Sequence, residues 1–456
     1  MSQSARSSQN DGSSRRRFLQ GSAGAMAAAS LTSLVRPVHA GADETLKIAL
    51  VGCGNRGTGA AANALQTAGP VKLYAMADAF ADRLEQSHEI LSKGGNLRRS
   101  VISAELGKRV DVAPERRFVG LDAYKRAIDA VDVVLLCGPP GFRPEHFEYA
   151  VAQGKHVFME KPVATDAPGI RRVLAAAKVA EQKGLKVGVG LQRHHEEKYL
   201  ETIKRVKDGA VGDVRMLRSY WNGATIKQPV PHDGLTELEY QVRNWYFFCW
   251  LSGDHIVEQH VHNLDVCNWI MGGPPVSALG MGGRQMRVGK DYGDIFDHHS
   301  VEYTYADGTK MFSFCRQIPG CEPLVGEFVV GSKGDADVGN GKITAGSEQW
   351  TFPKPRGGAK GTAGPNPYQV EHDALFAAIR SGTPHMEAET GAQATMTAIL
   401  GRMATYTGRT VTWEEGFQSM RALGPEQIVD WKTMPLTLPD DAGMYKLPQP
   451  GLIREV

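Results

Sequence analysis

Residues 46–57, LKIALVGCGNRG, indicate the architecture of the N-terminal half of the chain. Its first six residues are mostly apolar and predict a short strand that is buried on both faces. Glycines follow at positions 52, 54 and 57, and residues 58–67 have the composition of a helix. A second apolar run, residues 71–77, ends at Asp78. This order of strand, glycine loop, helix and strand predicts the first βαβ unit of a doubly wound parallel sheet.

The glycine spacing indicates a site for a dinucleotide. Gly52 permits a tight turn, Gly54 lets the backbone approach a pyrophosphate, and Gly57 lets the helix pack closely on the strand. Asp78 stands where a carboxylate can accept hydrogen bonds from ribose hydroxyls, and it would repel a 2′-phosphate. The sequence therefore predicts NAD as the cofactor rather than NADP.

Two further apolar runs extend the predicted sheet. Residues 132–137 end at Gly138-Pro139-Pro140, and residues 156–159 end at Glu160-Lys161-Pro162. In doubly wound sheets, ligands bind beyond the carboxyl ends of the strands. A lysine at a strand end, fixed by the following proline, is placed to face a nicotinamide, which makes Lys161 a candidate catalytic residue.

These motifs together resemble the Gfo/Idh/MocA oxidoreductase family, whose members act mostly on sugars, cyclitols and their derivatives. The resemblance spans about residues 45 to 413 and rests on the 52–57 loop, the strand from Asp132 with Pro139 and His146, GKHV at 154–157, and Glu160-Lys161-Pro162. It implies a Rossmann domain followed by an α/β domain with an open, mostly antiparallel mixed sheet. It also implies a substrate pocket on that sheet and often an oligomer interface, so we expect a homo-oligomer.

The motif and the resemblance together give a set of cofactor-binding candidates that lie in the glycine loop and at strand ends. These are Gly52, Gly54, Asn55, Arg56, Gly57, Asp78, Pro139, His146, Glu160 and Lys161.

The resemblance further implies a catalytic histidine on a helix near the nicotinamide. Residues 254–265, DHIVEQHVHNLD, run into Trp269 and a pair of glycines, and this pattern puts His262 in the catalytic position, with Glu258 in place of the usual Asp. Residues i and i+4 share a helix face, so we expect both side chains in one pocket. The carboxylate would orient the imidazole and raise its basicity. The predicted catalytic residues are Lys161, His262 and Glu258.

The second domain offers further polar and aromatic candidates. Arg193 is predicted to contact sugar hydroxyls and Trp221 a pyranose face, beside Lys161 and His262 as substrate-binding residues. Eight of the 14 histidines fall between positions 194 and 299. We expect no metal, because histidines two apart on a helix do not converge. A metal site that uses His255, His260 or His262 stays open as an alternative.

The first forty residues resemble a twin-arginine export signal. Arg15 and Arg16 precede Phe18-Leu19, a mild apolar run and a small-residue cleavage site at 38–40. We expect a signal at 1–40, an NAD-binding domain at 41–165, a substrate domain at 166–413 that includes a strand at 187–190, and an extension at 414–456. The protein would then be periplasmic or otherwise extracytoplasmic.

Two mechanisms compete for this site. In a dehydrogenase, His262 takes a hydroxyl proton while the carbon gives a hydride to NAD. In an NAD-dependent glycosidase, oxidation, elimination, hydration and reduction give net hydrolysis. Outside the cytoplasm there is no dependable pool of free NAD, which favours a tightly held cofactor in either case. A third alternative is a sugar-binding protein without catalysis.

The charge balance bounds the partners. The chain has 52 basic and 50 acidic residues, and residues 1–40 contribute five Arg and one Asp. The remainder therefore holds 47 basic and 49 acidic residues, a mild acidity that argues against nucleic acid. No stretch of eighteen apolar residues indicates a membrane span. A neutral carbohydrate is the expected partner.

Overall fold

The computed structural model describes residues 44–97, 100–224, 229–353 and 364–453. The N-terminal half forms a six-stranded sheet in the order β5-β2-β1-β6-β7-β8, in which every pair of neighbours is parallel. A small antiparallel pair, β3-β4, lies beside it. The strands are β1 Leu46–Val51, β2 Val71–Asp78, β3 Gly95–Leu97, β4 Ser100–Ile102, β5 Arg117–Val119, β6 Val133–Leu136, β7 His156–Met159 and β8 Val187–Val189.

Helices connect the parallel strands. They are α1 Asn55–Gln66, α2 Ala81–Lys93, α3 Ala123–Asp129, α4 Arg143–Ala152 and α5 Ala167–Gln182. All residues of β6 and β7 are buried, as expected for strands covered on both faces. The predicted doubly wound parallel sheet is therefore confirmed.

The C-terminal half forms a nine-stranded mixed sheet in the order β16-β15-β14-β13-β9-β12-β11-β10-β17. Strands β9 and β12 pair in parallel, whereas the other neighbouring strands of this sheet pair antiparallel. This confirms the open, mostly antiparallel sheet. Its strands are β9 Val214–Gly223, β10 Ser277–Gly283, β11 His298–Thr304, β12 Lys310–Gln317, β13 Leu324–Gly331, β14 Asp335–Asp337, β15 Lys342–Ala345, β16 Glu348–Thr351 and β17 Val411–Thr412.

The remaining helices include a long one, α12, which is buried over most of its length. They are α6 Glu197–Lys207, α7 Glu237–Arg243, α8 Cys249–Ser252, α9 His255–Glu258, α10 Val261–Met271, α11 Pro367–Ser381, α12 Ala388–Thr407 and α13 Trp413–Gln418. Helix α12 contacts β10, α10 and α5, so it joins the two sheets into one hydrophobic core.

The structure corrects one boundary. The strand at 187–189, predicted to belong to the second domain, pairs in parallel with β7 and completes the first sheet. The expected boundary at residue 165 therefore separates a strand from its own sheet. A short apolar run carries no mark of the sheet it joins, because that choice depends on how α5 folds back.

The predicted export signal at 1–40 lies wholly outside the described residues, and the predicted absence of a membrane span lies partly outside them. In the described part of the chain, no helix is long and apolar enough to cross a membrane.

Candidate active site

The glycine loop between β1 and α1 is built from close backbone contacts. Gly52 has φ +95°, and a Cβ there would lie 2.4 Å from the backbone nitrogen of Gly138. A Cβ on Gly57 would lie 2.0 Å from the carbonyl oxygen of Gly52. A Cβ on Gly54 would meet nothing within 4 Å. Gly52 and Gly57 are therefore required by the fold, whereas Gly54 leaves open space for a ligand.

Helix α1 begins without a side-chain cap, because its N-cap residue is Gly54 and glycine has no side chain. Its first-turn N–H groups are therefore not capped by a side chain. Such groups form an anion site together with the positive end of the helix dipole. Asp78 is fixed on the opposite side of the loop. Its carboxylate accepts hydrogen bonds from the N–H of Cys53 (2.6 Å) and of Phe80 (2.9 Å). The start of α1 fits the pyrophosphate of a dinucleotide, and the position of the Asp78 carboxylate fits its ribose.

The loop opens into a cavity of about 370 Å³ that extends from Asp78 to Glu258. Aromatic side chains that were not among the predicted site residues form much of its wall. The cavity is lined by the predicted residues Gly52, Gly54, Asn55, Arg56, Gly57, Asp78, Pro139, His146 and Glu258, together with Phe80, Tyr124, Phe142, Trp245 and Tyr246 among others. Only the aromatic content of these segments could have suggested the additional residues.

His146 and Arg56 are held by their neighbours. The His146 ring stacks on Tyr124 at 3.9 Å, and burial lowers its pKa to about 3, so the ring is neutral. The Nε of Arg56 lies 2.6 Å from Oε1 of Glu160, which joins the glycine loop to the end of β7. A Cβ on Gly190 would lie 2.6 Å from Glu160, so a glycine there makes room for this carboxylate.

Lys161 follows β7 and precedes a cis proline. Its Nζ donates hydrogen bonds to the backbone oxygen and to Oε1 of Glu258, the latter at 3.2 Å. Both side chains are largely buried, with 11% exposed. The structure thus brings together two of the predicted catalytic residues from different halves of the chain.

The prediction that Glu258 and His262 share one face of a regular helix is wrong. Helix α9 ends at Glu258 and α10 begins at Val261, and between them the N–H of His260 bonds to the oxygen of His255, five residues back. The two side chains therefore do not occupy i and i+4 positions of one regular helix. Among the described residues, the Glu258 carboxylate accepts hydrogen bonds from Lys161 and Gln259.

His262 nevertheless lies beside the other site residues. Its ring is stacked 6.0 Å from Trp221, and its Nδ1 has no hydrogen-bond partner. Burial, with the charges of Lys161 and Arg193, holds the pKa of His262 well below its ordinary value. The imidazole is therefore neutral and can accept a proton.

Arg193 is engaged within the protein. Its guanidinium pairs with Glu327, whose carboxylate also accepts from the hydroxyl of Tyr199 (3.2 Å) and the amide of Asn263 (2.5 Å). Glu327 has no exposed surface. This buried ion pair gives Arg193 a structural role. Its predicted contact with substrate stays a prediction.

Two family models cover most of the described chain. Residues 46–191 match the Gfo/Idh/MocA oxidoreductase family with an NAD-binding Rossmann fold. Residues 199–336 match the Gfo/Idh/MocA C-terminal domain. The chain belongs to the Gfo/Idh/MocA family. The predicted family and its NAD-binding domain are thereby confirmed.

Individual Gfo/Idh/MocA relatives are distant. The inositol 2-dehydrogenase of Rhizobium meliloti (strain 1021) is 28% identical over 181 residues, which are 40% of this chain and 48% of that protein. A glycosyl hydrolase family 109 protein of Streptomyces coelicolor is 29% identical over 203 residues, 42% of this chain and 39% of that protein. The chain spans about half or less of the length of these relatives.

A solved Gfo/Idh/MocA structure shares the fold. The scyllo-inositol dehydrogenase from Lactobacillus casei with bound NAD(H) and scyllo-inositol superposes with a TM-score of 0.59 at 20% identity. The match covers 81% of this chain and all of that chain. At this identity the likeness establishes the architecture alone.

Proposed function

We propose that the protein is an NAD-dependent oxidoreductase that transfers a hydride between a tightly bound nicotinamide cofactor and a hydroxyl or keto carbon of a sugar, cyclitol or glycoside. One observation carries this proposal. The ammonium of Lys161 pairs with the carboxylate of Glu258 just beyond the carboxyl end of β7, the charge of Lys161 acts on the neutral imidazole of His262, and Glu258 lines the same cavity as the glycine loop. Ligands of such sheets bind at this edge.

Bound NAD would accept the hydride from the substrate carbon. His262 is the base, because its neutral ring can take the hydroxyl proton. Lys161 donates hydrogen bonds and stabilises the oxygen as negative charge develops on it. Glu258 holds the Lys161 ammonium in position. Trp221, which stacks beside His262, offers an aromatic face to a sugar ring.

A C-terminal strap, residues 419–453, supports the proposal of a retained cofactor. Trp431 of the strap stacks on Phe80, with ring centroids 5.3 Å apart, and Phe80 lines the cavity near Asp78. The carbonyl oxygen of Thr437 accepts from the amide of Gln241 on α7 at 2.8 Å. The strap therefore braces the wall at the Asp78 end of the cavity, which would slow release of a dinucleotide.

The first experiment is to denature the purified protein and identify the released nucleotide. We expect NAD or NADH at close to one equivalent per chain, without any added cofactor. Addition of keto-sugars or keto-cyclitols to the NADH form should bleach its absorbance in a single turnover. A protein that folds but releases no nucleotide and stays inactive with added NAD would overturn the proposal.

Net hydrolysis of glycosides is the second candidate, and the similarity to the family 109 protein favours it. Its test uses p-nitrophenyl glycosides without added cofactor. Release of nitrophenol that stops when bound NAD is stripped and resumes when NAD is restored would assign hydrolysis. No release across a panel of sugars, together with bleaching by keto-sugars, would assign an oxidoreductase. A sugar-binding protein would give neither signal.

We also propose that the protein is exported in the folded state. The order of Arg15, Arg16, the apolar run and the cleavage site supports this. Fractionation of cells that express the full chain should recover the shortened protein outside the cytoplasm. Replacing both arginines with lysine should leave the uncut chain inside. Unchanged export would remove this support.

We further propose a homo-oligomer built on the open sheet. Its outer face carries the stacked rings of Tyr220 and Phe314, 5.3 Å apart, while Met281 on the same sheet is 75% exposed. An exposed apolar face of this kind is typical of an interface between subunits. Light scattering on the purified protein tests this, and a monomer at micromolar concentration would contradict it.

A further inference from the structure

A second group of polar side chains lies at the start of α9, the helix that ends at Glu258. Asp254 and His255 have no exposed surface, His299 is only 3% exposed, and one ligand atom from each lies within 4.8 Å of the others. Asp254 and His255 stand at the start of α9, whose last residue, Glu258, reaches Lys161. Of the histidines considered for a metal from the sequence, His255 alone belongs to this group.

The Asp254 carboxylate is fixed by donors on several sides. Its Oδ1 accepts from the N–H of His255, and its Oδ2 accepts from the N–H of Phe296 at 2.9 Å and from the hydroxyl of Tyr406 at 2.6 Å. The same Oδ2 lies 3.3 Å from Nε2 of His299. The carboxylate is thus held rigidly against an imidazole nitrogen.

The hydrogen bond at the other ring nitrogen of His299, Nδ1, determines which of the two nitrogens carries the proton in the neutral ring. Its Nδ1 lies 2.9 Å from the hydroxyl oxygen of Thr405, and that hydroxyl donates its only proton to the carbonyl oxygen of Arg402 at 3.0 Å. The Thr405 oxygen therefore accepts a hydrogen bond from Nδ1–H. In the neutral ring this leaves the lone pair of Nε2 directed at a carboxylate oxygen, and Nε2 has no hydrogen-bond partner.

His255 adds a second unsatisfied imidazole. Both of its ring nitrogens are buried without a hydrogen-bond partner among the described residues, and its ring lies 4.9 Å from the ring of His299. Buried polar groups are paired in nearly all native structures, because leaving them unpaired costs free energy. A proton between Asp254 and His299 would satisfy that pair but would leave His255 unpaired. A metal ion would engage all three side chains.

We propose that Asp254, His255 and His299 bind a divalent first-row transition-metal ion. Two imidazole nitrogens and one carboxylate oxygen form a donor set that suits Zn²⁺ and its neighbours. Ligand atoms of a tetrahedral zinc site lie about 3.4 Å apart, so side-chain movements of roughly 1 Å would close the site. The ion is structural: it holds the start of α9 and, through that helix, the position of Glu258.

The test measures metal content and thermal stability, neither of which requires turnover. The full chain is purified without a histidine tag, stripped with a chelator, loaded with Zn²⁺ and passed over a desalting column. We expect close to one Zn²⁺ per chain by mass spectrometry and a higher melting temperature after loading. His299→Asn and His255→Asn should each lose the bound ion and the rise in melting temperature, with affinity reduced at least about tenfold.

His298→Asn is the matched control, because His298 adjoins His299 but pairs with Asp297 and is 41% exposed. It should bind Zn²⁺ as the wild type does. The proposal is overturned if wild-type protein retains no Zn²⁺ and shows no change in melting temperature, or if His299→Asn and His255→Asn retain the ion. Nucleotide content is measured on the same samples, so failure of the metal site and failure of the NAD site are distinguishable.

Discussion

The glycine loop at 52–57 and the catalytic segment at 254–262 represent two ways in which a sequence specifies a site. The loop works through its backbone, and its essential contacts lie within one βαβ unit and the adjoining strand end at Gly138. The segment works through side chains whose partners come from distant positions. Lys161 and Glu258, for example, are 97 residues apart. Local patterns therefore describe the first region well and the second only in part.

The largest effect is expected within the loop. Gly57→Ala places a Cβ 2.0 Å from a carbonyl oxygen, so the loop must shift or the helix must move away. We expect a strongly destabilised protein without bound nucleotide, since overpacking alone costs about 1–3 kcal/mol. Nucleotide content and the free energy of unfolding measure this.

Gly54→Ala is the matched variant, because its Cβ meets no protein atom. It should fold with near-normal stability and still lose nucleotide, since the methyl group occupies the space left for the pyrophosphate. If both variants keep their nucleotide, the loop is not the binding site.

The proposed catalytic residues should show the next largest effect. Lys161→Met removes the ammonium proposed to stabilise the substrate oxygen, and His262→Ala removes the proposed base. Each should lower turnover by about 10²- to 10⁴-fold, the usual contribution of such a group, while nucleotide content stays unchanged. Unchanged turnover in either variant would refute the role assigned to that residue.

The contrast between the regions also explains what could be predicted from sequence. The tight turn at Gly52 and the close helix packing at Gly57 were predictable because they follow from strand, turn and spacing. The boundary at 165 was wrong because β8 joins the first sheet only through the path of α5. The cavity aromatics were missed because Phe80 and Tyr246, far apart in the sequence, come to line one cavity only in the folded chain.

Glu258 illustrates the same limit within a single motif. The i, i+4 rule assumes a regular helix, and the chain leaves that geometry between α9 and α10. The side chain still reaches the site, but its partner is Lys161. Only a three-dimensional structure can distinguish these two pairings.

Glu258→Gln tests the pairing directly. The variant keeps the shape of the side chain and removes the charge that holds Lys161. We expect turnover to fall by about tenfold to a hundredfold, the range typical of a misplaced catalytic group, without any shift in the pH dependence set by His262. An acid limb that moves in this variant would instead support the carboxylate–imidazole pairing predicted from sequence.

A smaller effect is expected in the pH dependence of kcat/KM of the wild-type protein. An ordinary histidine base, with a pKa near 6.5, would lose about tenfold in kcat/KM by pH 5.5. Burial and nearby positive charges lower the pKa of His262, so its neutral form persists to lower pH. We therefore expect kcat/KM to stay level from pH 7 to about 5.5. A limb centred near 6.5 would show that the base is another group or a more exposed imidazole.

The smallest effect should come from the strap, which lies far from the chemistry. Trp431→Ala removes a ring stacked on Phe80, and an aromatic pair contributes about 0.5–1.5 kcal/mol beyond its buried area. Nucleotide should therefore dissociate up to about tenfold faster, with turnover under saturating NAD unchanged. Val429→Ala, an exposed position on the same strap, is the control. A faster release in the Trp431 variant alone would show that retention depends on a segment outside both matched family domains, whereas equal release would place retention within the Rossmann domain itself.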